Sequence, residues 1–447
     1  MRHIILFIVV LLLSYIVGAQ EKGAETNSFT LQEAIDFALE NNYSAINADR
    51  DLIDARKQKW EVIASGLPQV NGSVGYQNQL KQPVSVIPAE IFGGEPGTFE
   101  EVVFGQAQQM NATATLRQQI FDGSYIVGVQ ATKSFLSYSD NNKEKTQLEI
   151  RKAVTEAYGN VLLAEESIAI LERNKANLEK NLFETQKLYE TGLGDEESVE
   201  QLQITTSNID NQLKNAIRLS DITRKLLNLV MGIDIDAPTE LEQNLDELVL
   251  LQTDYDLLVS ELNIENNVDY KLALNLNEQR FFEWKLAKSK ALPSLNTFIN
   301  YGTSAFAENF NFFNSDQQWF DSSIWGVDLT IPIFSSGLRG AGTKRAKLAL
   351  DKAKTQLLEA EQQIHLQTKR AKSDYTLAIE QYQTARDNLN LAERIENKNQ
   401  IKYSEGLASS FEFRQAQMQL YDAQQGYLQS MVEVINKKTE LETILNN

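Results

Sequence analysis

Apolar positions recur alternately four and three residues apart along two long stretches of this chain. The first runs Ile150, Val154, Ala157, Val161, Ala164, Ile168, Leu171, Lys175, Leu178, Leu182, Thr185 and Tyr189. The second runs Ile364, Thr368, Ala371, Tyr375, Ala378, Tyr382, Ala385, Leu389, Ala392, Glu396, Asn399 and Tyr403, each 214 positions after its counterpart. A sustained heptad of this kind marks the seam of coiled-coil packing, and frequent Ala in it permits close helix approach. Each stretch is broken by Gly-Leu, at Gly192-Leu193 and Gly406-Leu407, and then resumes. Past the break, Val199, Leu202, Thr206, Ile209 and Leu213 match Phe413, Ala416, Leu420, Ala423 and Tyr427. Each half is therefore expected to hold a helix of about 65 residues, or about 100 Å, and a second of about 35 residues. Gly suits the left-handed position that closes a helix, so each pair reads as a hairpin rather than one kinked helix. The carboxylates of Asp195, Glu196 and Glu197 suit the positive end of the first returning helix.

Ahead of each long helix the period changes from helical to two. Pro68 and Pro293 stop preceding helical runs. Val70, Gly72, Val74 and Tyr76 then share one face, as do Leu295, Thr297, Ile299 and Tyr301. Met110, Ala112, Ala114 and Leu116 alternate with Asn111, Thr113, Thr115 and Arg117; Trp325, Val327, Leu329 and Ile331 alternate with Gly326, Asp328 and Thr330. These are strands with one apolar and one polar face. The loop between the first pair, about 80–106, holds Pro83, Pro88, Pro96 and Gly93-Gly94; that of the second, about 303–322, holds Phe306, Phe310, Phe312, Phe313, Trp319 and Phe320. The expected organisation is a first repeat at 20–231, with strands at about 68–80 and 107–121 and a hairpin tip at about 190–198. A linker at 232–257 follows, its Pro238 and charges pointing to a surface excursion. The second repeat is 258–447, with strands at about 293–303 and 323–334 and a tip at about 404–412.

The start of the chain sets its destination. A basic Met1-Arg2-His3 leads into an apolar run from Ile4 to Val17, and Val17-Gly18-Ala19 is a small-residue cleavage pattern. Residues 1–19 are read as a signal peptide with Gln20 as the first mature residue. The run is shorter than the roughly 20 residues that span a bilayer as a helix. No Cys follows the cleavage pattern, so no amino-terminal lipid anchor is expected. The whole chain has no Cys, which removes disulfides, thiolate nucleophiles and Cys-metal sites. Once His3 leaves, His365 is the one histidine, and it lies in a helical run. The formal charge of −19 becomes −20 without Arg2. An acidic chain repels phosphate backbones, so no nucleic-acid partner is expected. No phosphate loop, nucleophile elbow or metal constellation is legible, and no cofactor is expected. Glu165-Glu166 and the carboxylates at 195–197 read as solvated helix faces rather than acid–base pairs.

Four amphipathic strands cannot close a barrel, and open edges in lipid would leave backbone groups unpaired at several kcal/mol each. Closure demands several copies. The order helix, Leu-Pro strand, loop, strand, Ile-Phe-x-x-Gly, long helix, Tyr-x-x-Gly-Leu turn and helix, present twice, resembles the TolC-type outer-membrane efflux family, the outer membrane factors. The strongest local matches are "YSEGLASSFEFRQAQMQLYDAQQGYL" at 403–428 and "IPIFSSGLRGAGTKRAKLAL" at 331–350. The resemblance covers essentially the whole mature chain. It implies a mainly α protein with a membrane β-barrel portion: coiled-coil hairpins forming a periplasmic α-barrel, and four strands per protomer in a 12-stranded trimeric β-barrel. It implies a homotrimer in the outer membrane of a Gram-negative cell, contacting outer-membrane lipid and working as a porin-like exit duct of a tripartite efflux or type I secretion system. It also implies a periplasmic adaptor (membrane fusion protein) and, indirectly, an inner-membrane pump of RND or ABC type. By the same resemblance, Gly192, Leu193, Gly406 and Leu407 are the adaptor-contacting tips, and Tyr403, Glu412 and Gln415 lie at the periplasmic constriction. Where the family has two acidic residues one turn apart, this chain has Glu412 and Gln415; where it has Arg, this chain has Ala408.

Two other classes remain to be weighed. A periplasmic coiled-coil adaptor has a single hairpin flanked by compact β domains, whereas two hairpins are expected here. An envelope enzyme would have to rely on Asp and Glu chemistry, since Cys is absent and His nearly so. No enzymatic activity is expected.

Overall fold

Two signals decide where the elements of this chain stop: capping side chains at helix starts, and prolines or left-handed glycines at helix ends. The computed structural model describes residues 27–446, so the signal peptide at 1–19 lies outside the described residues. In chain order they are β1 (Asn27–Phe29), α1 (Leu31–Asn41), α2 (Tyr43–Ser65), β2 (Gln69–Asn78), β3 (Val84–Pro88), β4 (Phe99–Val103), β5 (Gln108–Asp122) and α3 (Gly123–Glu190). Then follow α4 (Glu196–Met231), β6 (Thr239–Leu241), α5 (Leu245–Gln252), α6 (Asp256–Val259), α7 (Val268–Ser289), β7 (Ser294–Ala307), β8 (Phe320–Thr330), α8 (Leu338–Ser404) and α9 (Ser410–Leu445). The protein is mainly helical with a minor β portion, as the two periods predict. Among the described residues no helix is long and apolar enough to cross a membrane.

The chain divides into two units. Among the described residues, one comprises 27–51, 140–272 and 358–446; the other comprises 52–139 and 273–357.

The first unit is a helical assembly with a core drawn from both halves of the sequence. Ala34, Ile35, Val154, Tyr158, Val161, Leu227, Met231, Met431 and Ile435 are buried together. The predicted seams face inward: Ile150, Val154, Ala157, Val161, Ala164 and Leu178 are buried, as are Ile364, Thr368, Ala371, Tyr375, Ala378 and Ala392. Lys175 departs from the seam. Its ammonium reaches Asp210 of α4 at 2.5 Å, and the neighbouring Asn174 is buried instead. The fully buried Tyr158 donates its hydroxyl to the Phe29 carbonyl at 3.0 Å, which ties β1 to α3. Burial pushes its hydroxyl up to about 12, with smaller contributions from nearby carboxylates.

The segment at 232–257 corrects the expectation of a surface excursion. β6 pairs in parallel with β1, Asn27 opposite Thr239 and Phe29 opposite Leu241. Leu245, Leu248 and Val249 of α5 are buried in the main core, and Leu257 of α6 in a second cluster with Tyr375 and Leu441. The acidic residues there also serve structure: Glu247 forms a reciprocal cap with Asn244 at the start of α5. An apolar run of Leu245, Leu248 and Val249 has more to gain from burial, at about 25 cal/mol per Å², than from solvent.

The second unit is built on one antiparallel sheet in the order β2-β5-β7-β8. The register sets Val70 opposite Leu116, Leu116 opposite Ile299 and Ile299 opposite Trp325, so one apolar row runs across all four strands. The next row on that face is Gly72, Ala114, Tyr301 and Ser323. The opposite face is polar: the Ser73 and Thr113 hydroxyls lie 2.7 Å apart, and the Asn300 amide donates to Thr115 at 2.8 Å. β8 ends at Thr330, short of the expected 334, because Pro332 has no N–H to continue a ladder. The first loop contains an extra hairpin of β3 and β4 that no alternation announced. The aromatic loop folds back on the sheet, with Phe312 buried against Met110, Ala305 and Ala307.

Candidate functional site

The two Gly-Leu turns have one geometry. In the first, the Gly192 N–H donates to the Tyr189 carbonyl at 2.9 Å and the Leu193 N–H to that of Leu188 at 2.9 Å. In the second, Gly406 donates to Tyr403 at 3.0 Å and Leu407 to Lys402 at 2.7 Å. This is the paired Schellman closure of a helix, which needs a left-handed residue after the last turn. Gly192 and Gly406 supply it, with φ of +76° and +69°. Each chain reversal is genuine. Lys175 pairs with Asp210, and Arg224 with Glu165 at 2.5 Å, so α3 and α4 run antiparallel. In the second hairpin Tyr382 stacks on Tyr427, with ring centroids 5.7 Å apart. The leucine that follows each glycine is held out: Leu193 is 80% exposed and Leu407 73%.

The returning helices start on side-chain caps. Asp195 accepts from the Ser198 N–H at 2.7 Å and its hydroxyl at 2.9 Å. Ser409 and Glu412 form a reciprocal box. Ser-x-x-Glu is a helix-start signature, so Glu412, expected at the constriction, also has a structural role that its local sequence spells out. Hydrogen bonds from Ser409, the backbone one first, hold the Glu412 carboxyl below its ordinary range. Glu412 and Gln415 are exposed, and Ala408 is half-buried. Tyr403 is half-buried: it stacks on Phe413 at 5.2 Å and its hydroxyl lies 3.1 Å from that of Thr185. It thus links the two hairpins near their tips. Thr185 went unnoticed as a partner because a contact across 218 positions leaves no local trace.

Farther from the tips, Asn174 donates to Gln424 at 2.9 Å, joining α3 to α9. A cleft of about 780 Å³ lies between α3, α4 and α9. Carboxamides such as Asn160, Asn208, Gln212, Asn215 and Gln425 line it, with Asp422 as its one charged residue. Leu163, Ile170, Leu171, Leu219, Met418 and Leu428 supply apolar parts of the same lining. Glu396 occupies the seam position that Leu182 holds in the first hairpin. Burial pushes its carboxyl up; burial also raises the neighbouring Tyr421 hydroxyl, which the charge of Glu396 raises further. His365 is exposed. Among the described residues, no group of three or more His, Asp or Glu side chains is arranged to hold a metal ion.

Two hairpins with matching tips and a four-stranded sheet with one apolar face define a class of protein: an α-hairpin assembly carrying a membrane-type β-sheet. The sequence matches the family described as "Outer membrane efflux protein" over residues 34–232 and 262–447, and the chain belongs to that family. It is an outer-membrane exit duct of an efflux system. By sequence alone no curated protein matches the chain. Solved structures do. The outer membrane protein VceC of Vibrio cholerae superposes with a TM-score of 0.72 at 16% identity, covering 93% of this chain and 96% of that one. A structure of CusC, from a study of folding and transmembrane channel formation, gives 0.73 at 17%, covering 96% and 95%. The CmeC outer membrane channel of Campylobacter jejuni gives 0.71 at 18%, covering 96% and 90%.

Proposed function

We propose that three copies of this chain close a 12-stranded barrel in the outer membrane, and that their hairpins line a periplasmic tunnel through which solutes leave passively. The observation that carries this reading is the sheet. β2 and β8 each have one neighbour, so both edges present unpaired backbone groups, while the face bearing Val70, Val74, Ile299, Trp325, Val327 and Leu329 is apolar. In hydrocarbon an open edge costs several kcal/mol per unpaired group. Pairing β8 of one copy with β2 of the next removes both edges, and a closed ring is the arrangement that leaves none.

The tips are the docking points for a periplasmic adaptor. Leu193 and Leu407 are apolar and exposed, each just past a hydrogen-bonded glycine turn, which suits insertion between adaptor helices. Three copies would offer six tips of one geometry. Energy and selectivity then reside in an inner-membrane pump. Glu412, one per copy, would form a threefold acidic ring near the tunnel entrance, with Tyr403 and Gln415 beside it, and favour cations.

The test is the native mass of the particle extracted from separated outer membranes in mild detergent. Three chains are expected. A stable single chain would defeat barrel closure and with it the tunnel.

A further inference from the structure

Positive charge is concentrated in one place. Residues 280–290 and 339–354 hold ten Lys or Arg against two Asp or Glu, in a chain with 42 basic and 61 acidic residues. The stretch 214 positions before the second window, 125–140, holds only Lys133 and Asp140. The basic start of the long helix therefore belongs to the second repeat alone, whereas the end of α2, with Arg56, Lys57 and Lys59, is basic as the end of α7 is.

The fold brings these two windows together. α7 and α8 run side by side in the sheet-bearing unit, and their lysines converge on aromatic rings. Lys285 lies 5.0 Å from the Phe281 centroid and 5.8 Å from that of Phe282. Lys288 and Lys347, from different helices, lie 4.8 and 5.5 Å from the Trp284 ring. Lys347 also pairs with Asp351 at 2.8 Å, and Arg280 with Glu283. Among the described residues, Lys285, Lys288, Lys290, Lys344 and Arg345 have no carboxylate partner. Two ammonium groups over one indole repel each other, and an anion between them relieves that repulsion.

The surroundings select the anion. α7 ends at Ser289 just before β7, and α8 begins at Leu338 just after β8. The connecting residues are apolar and exposed: Leu292, Ile331, Ile333, Phe334 and Leu338. Trp60 lies five residues before the end of α2, and Trp284 five before the end of α7, so both helices that enter the sheet carry an indole at one level. Along α7 toward the sheet come the Trp284 indole, then Lys285, Lys288 and Lys290, then the exposed Leu292, so cations and indole share one level beside the aliphatic links, as at a headgroup layer bordering acyl chains.

We infer that this cluster binds the phosphate headgroup of anionic phospholipids in the leaflet where the helices meet the sheet. Lys285, Lys288 and Lys347 form the recognition element, and the exposed apolar links take the first part of the acyl chains. The inference rests on the sheet being the membrane-inserted element.

The experiment is native mass spectrometry of the full-length protein extracted from outer membranes. Phosphatidylglycerol, phosphatidylcholine of the same chains, or inorganic phosphate is added. Wild type is expected to retain phosphatidylglycerol in preference to phosphatidylcholine. Lys285→Gln/Lys288→Gln/Lys347→Gln is expected to lose that preference by about tenfold or more, since each lysine near a charged surface contributes about 1 kcal/mol. A Lys180→Gln/Lys187→Gln control on the exposed face of α3 should keep it. Should the triple variant fail to assemble, Lys288→Gln alone, exposed and without an ion pair, is expected to lower the preference several-fold. Equal retention of the two lipids by wild type, an unchanged preference in the variants, or displacement of the lipid by inorganic phosphate would overturn the inference. The same spectra report the number of chains, so a failure of barrel closure is seen separately from a failure of lipid recognition.

Discussion

The Glu412 carboxylate accepts the Ser409 backbone N–H at 2.8 Å and its hydroxyl at 3.0 Å, through the same oxygen, Oε2. The group proposed to charge the tunnel entrance therefore also starts helix α9. The two roles separate by substitution. Gln can keep the cap but carries no charge, so Glu412→Gln should leave thermal stability nearly unchanged while lowering cation preference in bilayer reversal potentials. Ser409→Ala should do the opposite, costing about 1 kcal/mol of helix stability. Because its folded pKa is depressed, the Glu412 contribution is present above the ordinary carboxylate value of 4.5 and is lost as pH falls through the lower folded value. Cation preference should accordingly persist at pH 5. Unchanged reversal potentials in the Gln variant would remove Glu412 from the entrance.

At the tips, Leu193→Glu or Leu407→Glu should weaken crosslinking to the adaptor several-fold while the oligomer mass stays the same. Gly406→Ala tests the turn itself. No atom lies within 4 Å of the added Cβ, so its cost is backbone strain at φ +69° alone. That is roughly 1–2 kcal/mol, to be read as faster amide exchange confined to 400–412.

Asp210 bridges Lys175 and Lys214, each at 2.5 Å. Hydrogen bonds from those lysines, Lys175 first, hold its carboxyl at about 2. Its contribution is thus complete above pH 3.8 and disappears as pH falls toward 2. Asp210→Asn should lower the melting temperature modestly at pH 7, with the difference from wild type shrinking in high salt and vanishing near pH 2.

Glu396 has the reverse sign. A folded pKa raised by burial means that the charged form is penalised, so the penalty is full above that raised value and disappears as pH falls below 4.5. Glu396→Leu, which copies Leu182 of the other hairpin, should raise the melting temperature at pH 7 and have less effect at pH 4. A variant less stable than wild type at pH 7 would show that the carboxylate is held by a favourable contact.

The periodic part of the architecture was legible in the chain because its causes are local. Heptads buried Val154, Val161, Ala371 and Tyr375, and Gly192 and Gly406 closed their helices, because each depends on neighbours within one or two turns. Alternation likewise set Val70, Leu116, Ile299 and Trp325 to one side of their strands. The tertiary structure alone decided which strands pair, since β5 meets β7 across more than 170 intervening positions. It also turned the acidic 232–257 segment inward and paired its β6 with β1. It joined Tyr403 to Thr185, set Glu412 on Ser409, and gathered Lys288 and Lys347 over Trp284. In these last cases the energy lies in contacts between distant segments, and a periodicity confined to one helix carries no record of what will pack against it.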